Sequence, residues 1–314
     1  MLKGKISIDL PSAETDRKMT LVERVRSFCG ASIDLASGSE DLTISALTLV
    51  TGLVQGFRAA GINNAIVFLV DKKVVFNDVN DQEDDLPLIL EAAQRTGILN
   101  HPFREMHLVL TKTENGIHTI FDAQIRNGVL LGDSEMIIEA SGRVEELRIR
   151  TGETAGQYAE RIKEFMKEEG RIESRRLMFQ HMLEGLAAAL QKTLIGSKAT
   201  TSGAHVFVVQ PNKAQIGAFD DLKFGKDAQD THFRSVPTHQ RTGAYADPFY
   251  YYYYDPYYGL TNFLLLNSML NHHYWHNPNV YVVGGDGNLM YTGDESASHA
   301  SDNWGSDAVS LSDS

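Results

Sequence analysis

MHLVLTKTENGIHTIFDAQI, residues 106–125, is the stretch that decides the fold class. Polar and apolar residues alternate from His107 to Thr113, Glu114-Asn115-Gly116 supplies a turn, and alternation resumes from Ile117 to Ile125. A period of two marks half-buried strands. Asn-Gly between two such runs signals a tight hairpin, because both central residues of that turn need positive φ. A second hairpin is expected just downstream, with Met136–Glu139 leading through Ser141-Gly142 to Val144–Ile149. Four such strands form an antiparallel meander.

Working outward, residues 4–10 alternate as a strand, and Ala65–Val70 with Val74–Phe76 read as a hairpin turning at Asp71-Lys72-Lys73. Thr20 and Glu23 make a capping box for a helix over 20–29, closed by Gly30. A second helix is expected over 41–60, where Leu42, Ala46, Leu49, Leu53 and Phe57 recur at helical spacing and Gly61 ends it. A third spans 86–99, with Pro87 in its first turn. Thr154 and Gln157 cap a helix reaching about Glu168. The next helix, 172–194, places Leu177, Met178, His181, Met182, Gly185, Leu186 and Leu190 on one stripe. A strand over 204–210 ends at Pro211. Consecutive hairpins with helices before and after give an α+β fold, an antiparallel sheet with flanking helices.

The composition bounds what such a domain does. The chain has 314 residues, 42% hydrophobic and 22% charged, with a formal net charge of −12. That acidity argues against nucleic acid as the main partner, since phosphate binding needs a concentrated basic face. Arg171, Arg175, Arg176 and Lys192, the nearest thing to one, read as the solvated side of a helix. The single cysteine, Cys29, excludes an intramolecular disulfide and is expected to be a small buried hydrophobe. No secretory signal and no apolar run of membrane-spanning length is visible, so the expected location is the cytoplasm.

Past Pro211 the chain changes character. Eleven of the twelve tyrosines, both tryptophans and six of the eleven histidines follow it. After Arg241 the chain holds no Lys or Arg but seven Asp and one Glu. The sequence therefore divides into an α+β domain (1–210), a Tyr- and His-rich region (211–291) and an acidic Ser/Asp tail (292–314) expected to be disordered. Within the middle part, Leu260–Leu270 is an apolar patch, and Val280–Val283 with Leu289–Tyr291 reads as a hairpin around Gly284-Gly285-Asp286-Gly287-Asn288.

No GxGxxG, GxxxxGK[ST], HExxH or GxSxG motif is present. His272, His273 and His276 are the best candidates for metal chemistry. On a helix the i, i+4 pair His272/His276 would share a face and could take Zn²⁺ or another transition metal. Asn77–Asp85 offers oxygen ligands of the kind Ca²⁺ and Mg²⁺ prefer, without the spacing of an EF-hand. Its plainer reading is a solvated loop whose Asp84 and Asp85 favour the next helix's N-terminus. His107 and His118, on adjacent strands, could approach each other with Glu105 and Asp122 nearby, as an acid/base pair or as a polar sheet face.

Tyr250, Tyr252, Tyr254, Tyr257, Tyr258 and Trp275 supply large amphipathic contact area of the kind used in recognition. In a strand, Tyr250–Tyr254 could not all face inward. The leading expectation is a non-catalytic binding or assembly protein whose aromatic region recruits a protein partner or another copy. The alternative is a metal-binding protein or metal-dependent enzyme built on the histidine cluster. Docking at a membrane surface is disfavoured by the missing Lys and Arg. The leading reading also expects a chain lacking 242–314 to fold alone.

Overall fold

Asn115 and Gly116 both take positive φ, 52° and 71°, and Glu114 pairs with Ile117 across the turn. The hairpin that the Asn-Gly pair implies is the one the protein builds. A computed structural model describes residues 1–10, 46–78, 84–100, 103–126, 136–148, 150, 153–168, 170–209, 258–271, 279–283 and 289–292. Among them are ten strands: β1 (Leu2–Asp9), β2 (Asn64–Val70), β3 (Lys73–Asn77), β4 (Glu105–Glu114), β5 (Ile117–Arg126), β6 (Met136–Val144), β7 (Lys198–Thr201), β8 (His205–Val209), β9 (Val280–Val283) and β10 (Leu289–Thr292). The described helices are α1 (Ala46–Ala59), α2 (Leu86–Thr96), α3 (Ala155–Lys167), α4 (Arg171–Thr193) and α5 (Tyr258–Asn271). The helix expected over 20–29 and Cys29 lie outside the described residues.

All ten strands join one sheet in the order β10-β9-β8-β1-β6-β5-β4-β2-β3, with β7 also beside β1. Every pairing is antiparallel except β8–β9. The protein is therefore an α+β fold. Buried residues of all five helices, such as Leu53, Ile89, Phe165, Leu186 and Leu265, pack into one core with Ile6, Leu108, Phe121 and Ile138 of the sheet. Among the described elements the helices share one sheet face. On the opposite face Ile66, Val67, Val109 and Ile120 form a separate small cluster.

α4 lies close against the sheet, and glycines let it. A Cβ on Gly142 would sit 2.9 Å from the Phe179 ring, and one on Gly4 would sit 2.3 Å from Leu183. The same helix presses on α1, where a Cβ on Gly56 would meet Leu190 at 2.5 Å and one on Gly52 would meet Leu194 at 2.6 Å. Two sequence expectations are corrected here. The buried stripe of α4 is Phe179, Leu183, Leu186, Ala187 and Leu190, while Leu177, Met178, His181 and Gly185 are exposed. The second hairpin does not form either. β6 runs unbroken through Ser141-Gly142 to Val144 and ends in a 3-10 turn, Glu145–Leu147, because Gly142 makes room for a crossing ring rather than for a turn.

β7 and β8 behave as one interrupted strand beside β1. The register shifts from Ile6↔Thr201 to Leu2↔Val206, so one extra residue is accommodated between them, as at a bulge. Ser202 keeps the ladder intact there. Its amide donates to the Lys5 carbonyl at 2.8 Å, and its Oγ accepts from the Lys5 amide at 2.9 Å.

The close α4 approach makes a paired prediction. Gly142→Ala should cost about 1–3 kcal/mol by overpacking against Phe179, read as a lower urea midpoint at unchanged m-value. Gly185→Ala on the exposed side of the same helix, where an added Cβ meets nothing within 4 Å, should stabilise by about 0.5–1 kcal/mol.

Candidate functional site

The two-residue turn fixes which residues of β4 and β5 meet. On the face opposite the helices, His107 stands opposite Gln124, Val109 opposite Asp122 and Thr113 opposite His118. His107 and His118 are thus separated by the length of strand from His107 to Thr113, roughly 20 Å at strand spacing. They do not form the acid/base pair their positions on adjacent strands suggested. Each is instead held by a different set of neighbours.

His107 Nδ1 lies 3.1 Å from both carboxylate oxygens of Asp122. Gln124 Nε2 also donates to Asp122 at 3.2 Å. The Asp122 side chain is 2% exposed and His107 25%, so the carboxylate is buried and the imidazole is its partly open partner. Burial works against charging His107. The hydrogen bond and charge of Asp122, with the charges of Glu105 and Glu139, outweigh it and raise the His107 pKa above its ordinary value.

His118 has the opposite character. Burial, then the charges of Arg143 and Arg148, lower its pKa to about 4. Thr111 Oγ1 lies 3.1 Å from Nε2 and Thr113 Oγ1 2.8 Å from Nδ1. Thr111 already donates its hydroxyl proton to the Thr119 carbonyl. The network therefore assigns a neutral ring in which Nε2–H donates to Thr111 and Nδ1 accepts from Thr113. A neutral, enclosed ring of this kind is a structural polar contact.

The C-terminal elements are fastened to the body at two places. Tyr158, fully buried on α3, donates to the Leu147 carbonyl at 2.8 Å and lies 2.6 Å from Thr261 Oγ1 of α5. Leu265, Leu266 and Met269 of α5 are buried in the common core. Beyond α5, β9 joins β8 in parallel, with Val206↔Val280 and Val208↔Val282 as partners. On the other face of this pair, Phe207 stacks on Tyr281 at 5.1 Å and 12°. His205 meets Tyr281 edge-on at 5.0 Å, and Lys3 Nζ sits 5.4 Å above the Phe207 ring. These rings spend their faces on one another, as a cross-strand ladder.

Of the residues singled out from sequence, His272, His273, His276, Tyr250, Tyr252, Tyr254, Tyr257 and Trp275 lie outside the described residues. Tyr258 is the first residue of α5. Among the described residues no group of three His, Cys, Asp or Glu is placed to hold a metal ion. In the acidic stretch 77–85, residues 79–83 lie outside the described ones. Asp85 does stand at the N-cap position of α2, but not as a solvated charge. It is buried, makes no side-chain cap bond, and accepts the Ala65 amide of β2 at 2.6 Å. Two of the basic residues of α4 are engaged too: Arg175 bonds Glu146 and the Asn115 carbonyl, and Arg176 bonds Glu173 and the Ala204 carbonyl. Sequence reasoning misses Tyr158 as an anchor, although it is the only tyrosine before Pro211 and sits in the first turn after the Thr154 cap.

Comparison with protein-family models, curated proteins and solved structures finds no match for this chain. Among the described residues no helix is long and apolar enough to cross a membrane. The residues' own geometry therefore carries the functional argument.

Two outcomes are expected. Because the folded-state pKa of His118 lies near 4, below the ordinary value, the unfolded chain takes up a proton the native state refuses as pH falls through 6.5 to 4. That costs at most about 3 kcal/mol over the window. His118→Gln should flatten this acid loss in urea titrations run at pH 7 and 4.5. His107 has the reverse sign, its contribution being complete below its unfolded-state pKa and lost as pH rises through the raised folded value. Separately, Tyr158→Phe should cost about 1–3 kcal/mol by leaving the Leu147 carbonyl without its phenol donor, seen as a lower melting temperature.

Proposed function

We propose that this chain is a non-catalytic binding and assembly protein, in which the α+β body carries the Tyr- and His-rich C-terminal region to a protein partner or to another copy. The observation behind the reading is the anchoring of α5. The tyrosine-rich segment 250–257 runs directly into a helix that is bonded to buried Tyr158 and packed into the core. Binding residues are commonly carried on segments positioned by a rigid scaffold. Tyrosine gives such a segment large contact area for little side-chain entropy.

The same anchoring changes how the idea is tested. Deleting residues 242–314 would strip Leu265, Leu266, Met269, Val280 and Val282 from the core, so loss of folding is the expected result of that truncation. Point changes are cleaner. Tyr250→Ser, Tyr252→Ser and Tyr254→Ser together should leave the circular dichroism and melting temperature of the full chain in place. They should also abolish self-association by light scattering, or retention of a partner identified with the unmodified chain. Unchanged association in the triple variant would sink the reading. Stoichiometric Zn²⁺ in protein purified without a histidine-affinity step, lost on H273A with H276A, would replace it with the metal-binding one.

A further inference from the structure

We propose that two copies of the chain pair through the exposed side of α4, antiparallel about a two-fold axis at His181. The proposal does not rest on the tyrosine-rich segment. α4 turns Phe179, Leu183, Leu186, Ala187 and Leu190 into the core. Its other side carries Leu177, Met178, His181, Gly185 and Ala188, all exposed and all within roughly 60° of one line along the helix. Leu177 is 47% and Met178 38% exposed, and of the other large hydrophobics described only Leu88 stands out to solvent. The solvent side of a helix is ordinarily polar. Of the charged residues of α4, Glu184 and Lys192 are the exposed ones. Glycine inside a helix weakens it, and its own chain does not need the space at Gly185, where an added Cβ meets nothing within 4 Å.

A second copy is the occupant because this face complements itself in shape and in charge. Turned end for end about His181, Leu177 of one helix seats over Gly185 of the other, and Ser174 over Ala188. The bulky half of each face thus fills the bare half of its twin, as an isologous contact requires. At the axis the two His181 rings meet, each with its own Glu184 carboxylate 3.4 Å away. Glu184 lands on Met178 of the second copy, beside which Arg175 Nη1 lies at 3.5 Å. Lys192 lands at the start of the opposite helix, where the Glu168 side chain is 64% exposed. Each of these opposite-charge approaches occurs twice. A parallel pairing would instead set Glu184 on Glu184, Lys192 on Lys192 and Gly185 on Gly185, and would align the helix dipoles. The stripe from Ser174 to Lys192 is roughly 27 Å long and one helix wide, short of the roughly 800 Å² per partner of a standard interface. The pair is therefore a weak one that forms as the protein is concentrated.

The test uses the full chain with Cys29→Ser, so that an introduced thiol is the only one. Ser174, His181 and Ala188 are exposed, so a cysteine at each leaves the core alone. With oxidised glutathione, H181C is expected to give a disulfide-linked dimer of twice the 34.9 kDa chain mass. S174C alone and A188C alone, each roughly 20 Å from its own copy across the axis, should stay single. An equal mixture of S174C and A188C should link. Gly185→Gln fills the space Leu177 of the second copy needs. Its melting temperature in dilute solution should be no lower than that of the unmodified chain, while its dimer dissociation constant by sedimentation equilibrium rises at least about tenfold. Equal linking of all three single variants, an unchanged dissociation constant in Gly185→Gln, or an unmodified chain that stays monomeric at its highest soluble concentration overturns the proposal. Repeating the cross-links with Tyr250→Ser, Tyr252→Ser and Tyr254→Ser separates the two ideas. Links that persist there belong to α4 whatever the tyrosines recruit, and links that vanish there overturn the α4 pairing while leaving the tyrosine reading in place.

Discussion

The close approach of α4 to its neighbours is the constraint on which the rest of the structure depends. Phe179 and Leu183 reach into spaces left by Gly142 and Gly4 on the sheet, and Leu190 and Leu194 into spaces left by Gly56 and Gly52 on α1. Interiors pack at near-crystalline density. Four positions without side chains therefore set the distance between helix and sheet and between helix and helix. Once that distance is set, the buried row of α4 is the one that fits, and its charged flank falls where it can be used. Arg175 reaches the β4–β5 turn through the Asn115 carbonyl and the turn after β6 through Glu146. Arg176 reaches the start of β8 through the Ala204 carbonyl.

A second set of polar contacts carries that order to the C-terminal elements. Arg161 bonds the backbone of the 145–148 turn and pairs with Glu153. The same turn presents the Leu147 carbonyl to Tyr158, whose hydroxyl meets Thr261. The chain of contacts runs from sheet to turn to α3 to α5, with the polar atoms satisfied by one another as burial demands. The docking of α5 is thus a property of the body as much as of the helix itself, which has no charged residue in either end turn.

What is legible in the sequence is local chemistry. Asn115-Gly116 announces its turn because few other residues tolerate positive φ in succession. Thr154 and Gln157 announce a capping box, and both of its bonds are present. Gly142 misleads because a glycine signals either a turn or a close approach, and the residue that decides, Phe179, lies far along the chain on α4. The stripe of α4 fails for the same reason, since hydrophobic residues lie all round that helix and only the glycines opposite choose among them. His107 and His118 do share one sheet face. Their separation follows from the two-residue turn once the register is counted, so that part is within reach of the sequence. The parallel pairing of β9 with β8 is not, because no local pattern specifies a partner that lies beyond a further helix. The histidines and most of the tyrosines named from composition lie outside the described residues.

β1 lies in the middle of the sheet, between β6 on one side and β7 and β8 on the other. Its partners are made far later, β6 from Met136 and β7 and β8 from Lys198 onward. During synthesis the hairpins β2–β3 and β4–β5 can close as soon as their strands are made, whereas β1 is made long before any of its own partners among the described strands. Until β6 arrives, β1 offers two unpaired edges with apolar Leu2, Ile6 and Ile8 between them. Pairings this distant in sequence are slow to form and leave sticky edges exposed meanwhile. Among the described strands, the central one of the finished sheet is thus the one left unpaired longest as the chain is made.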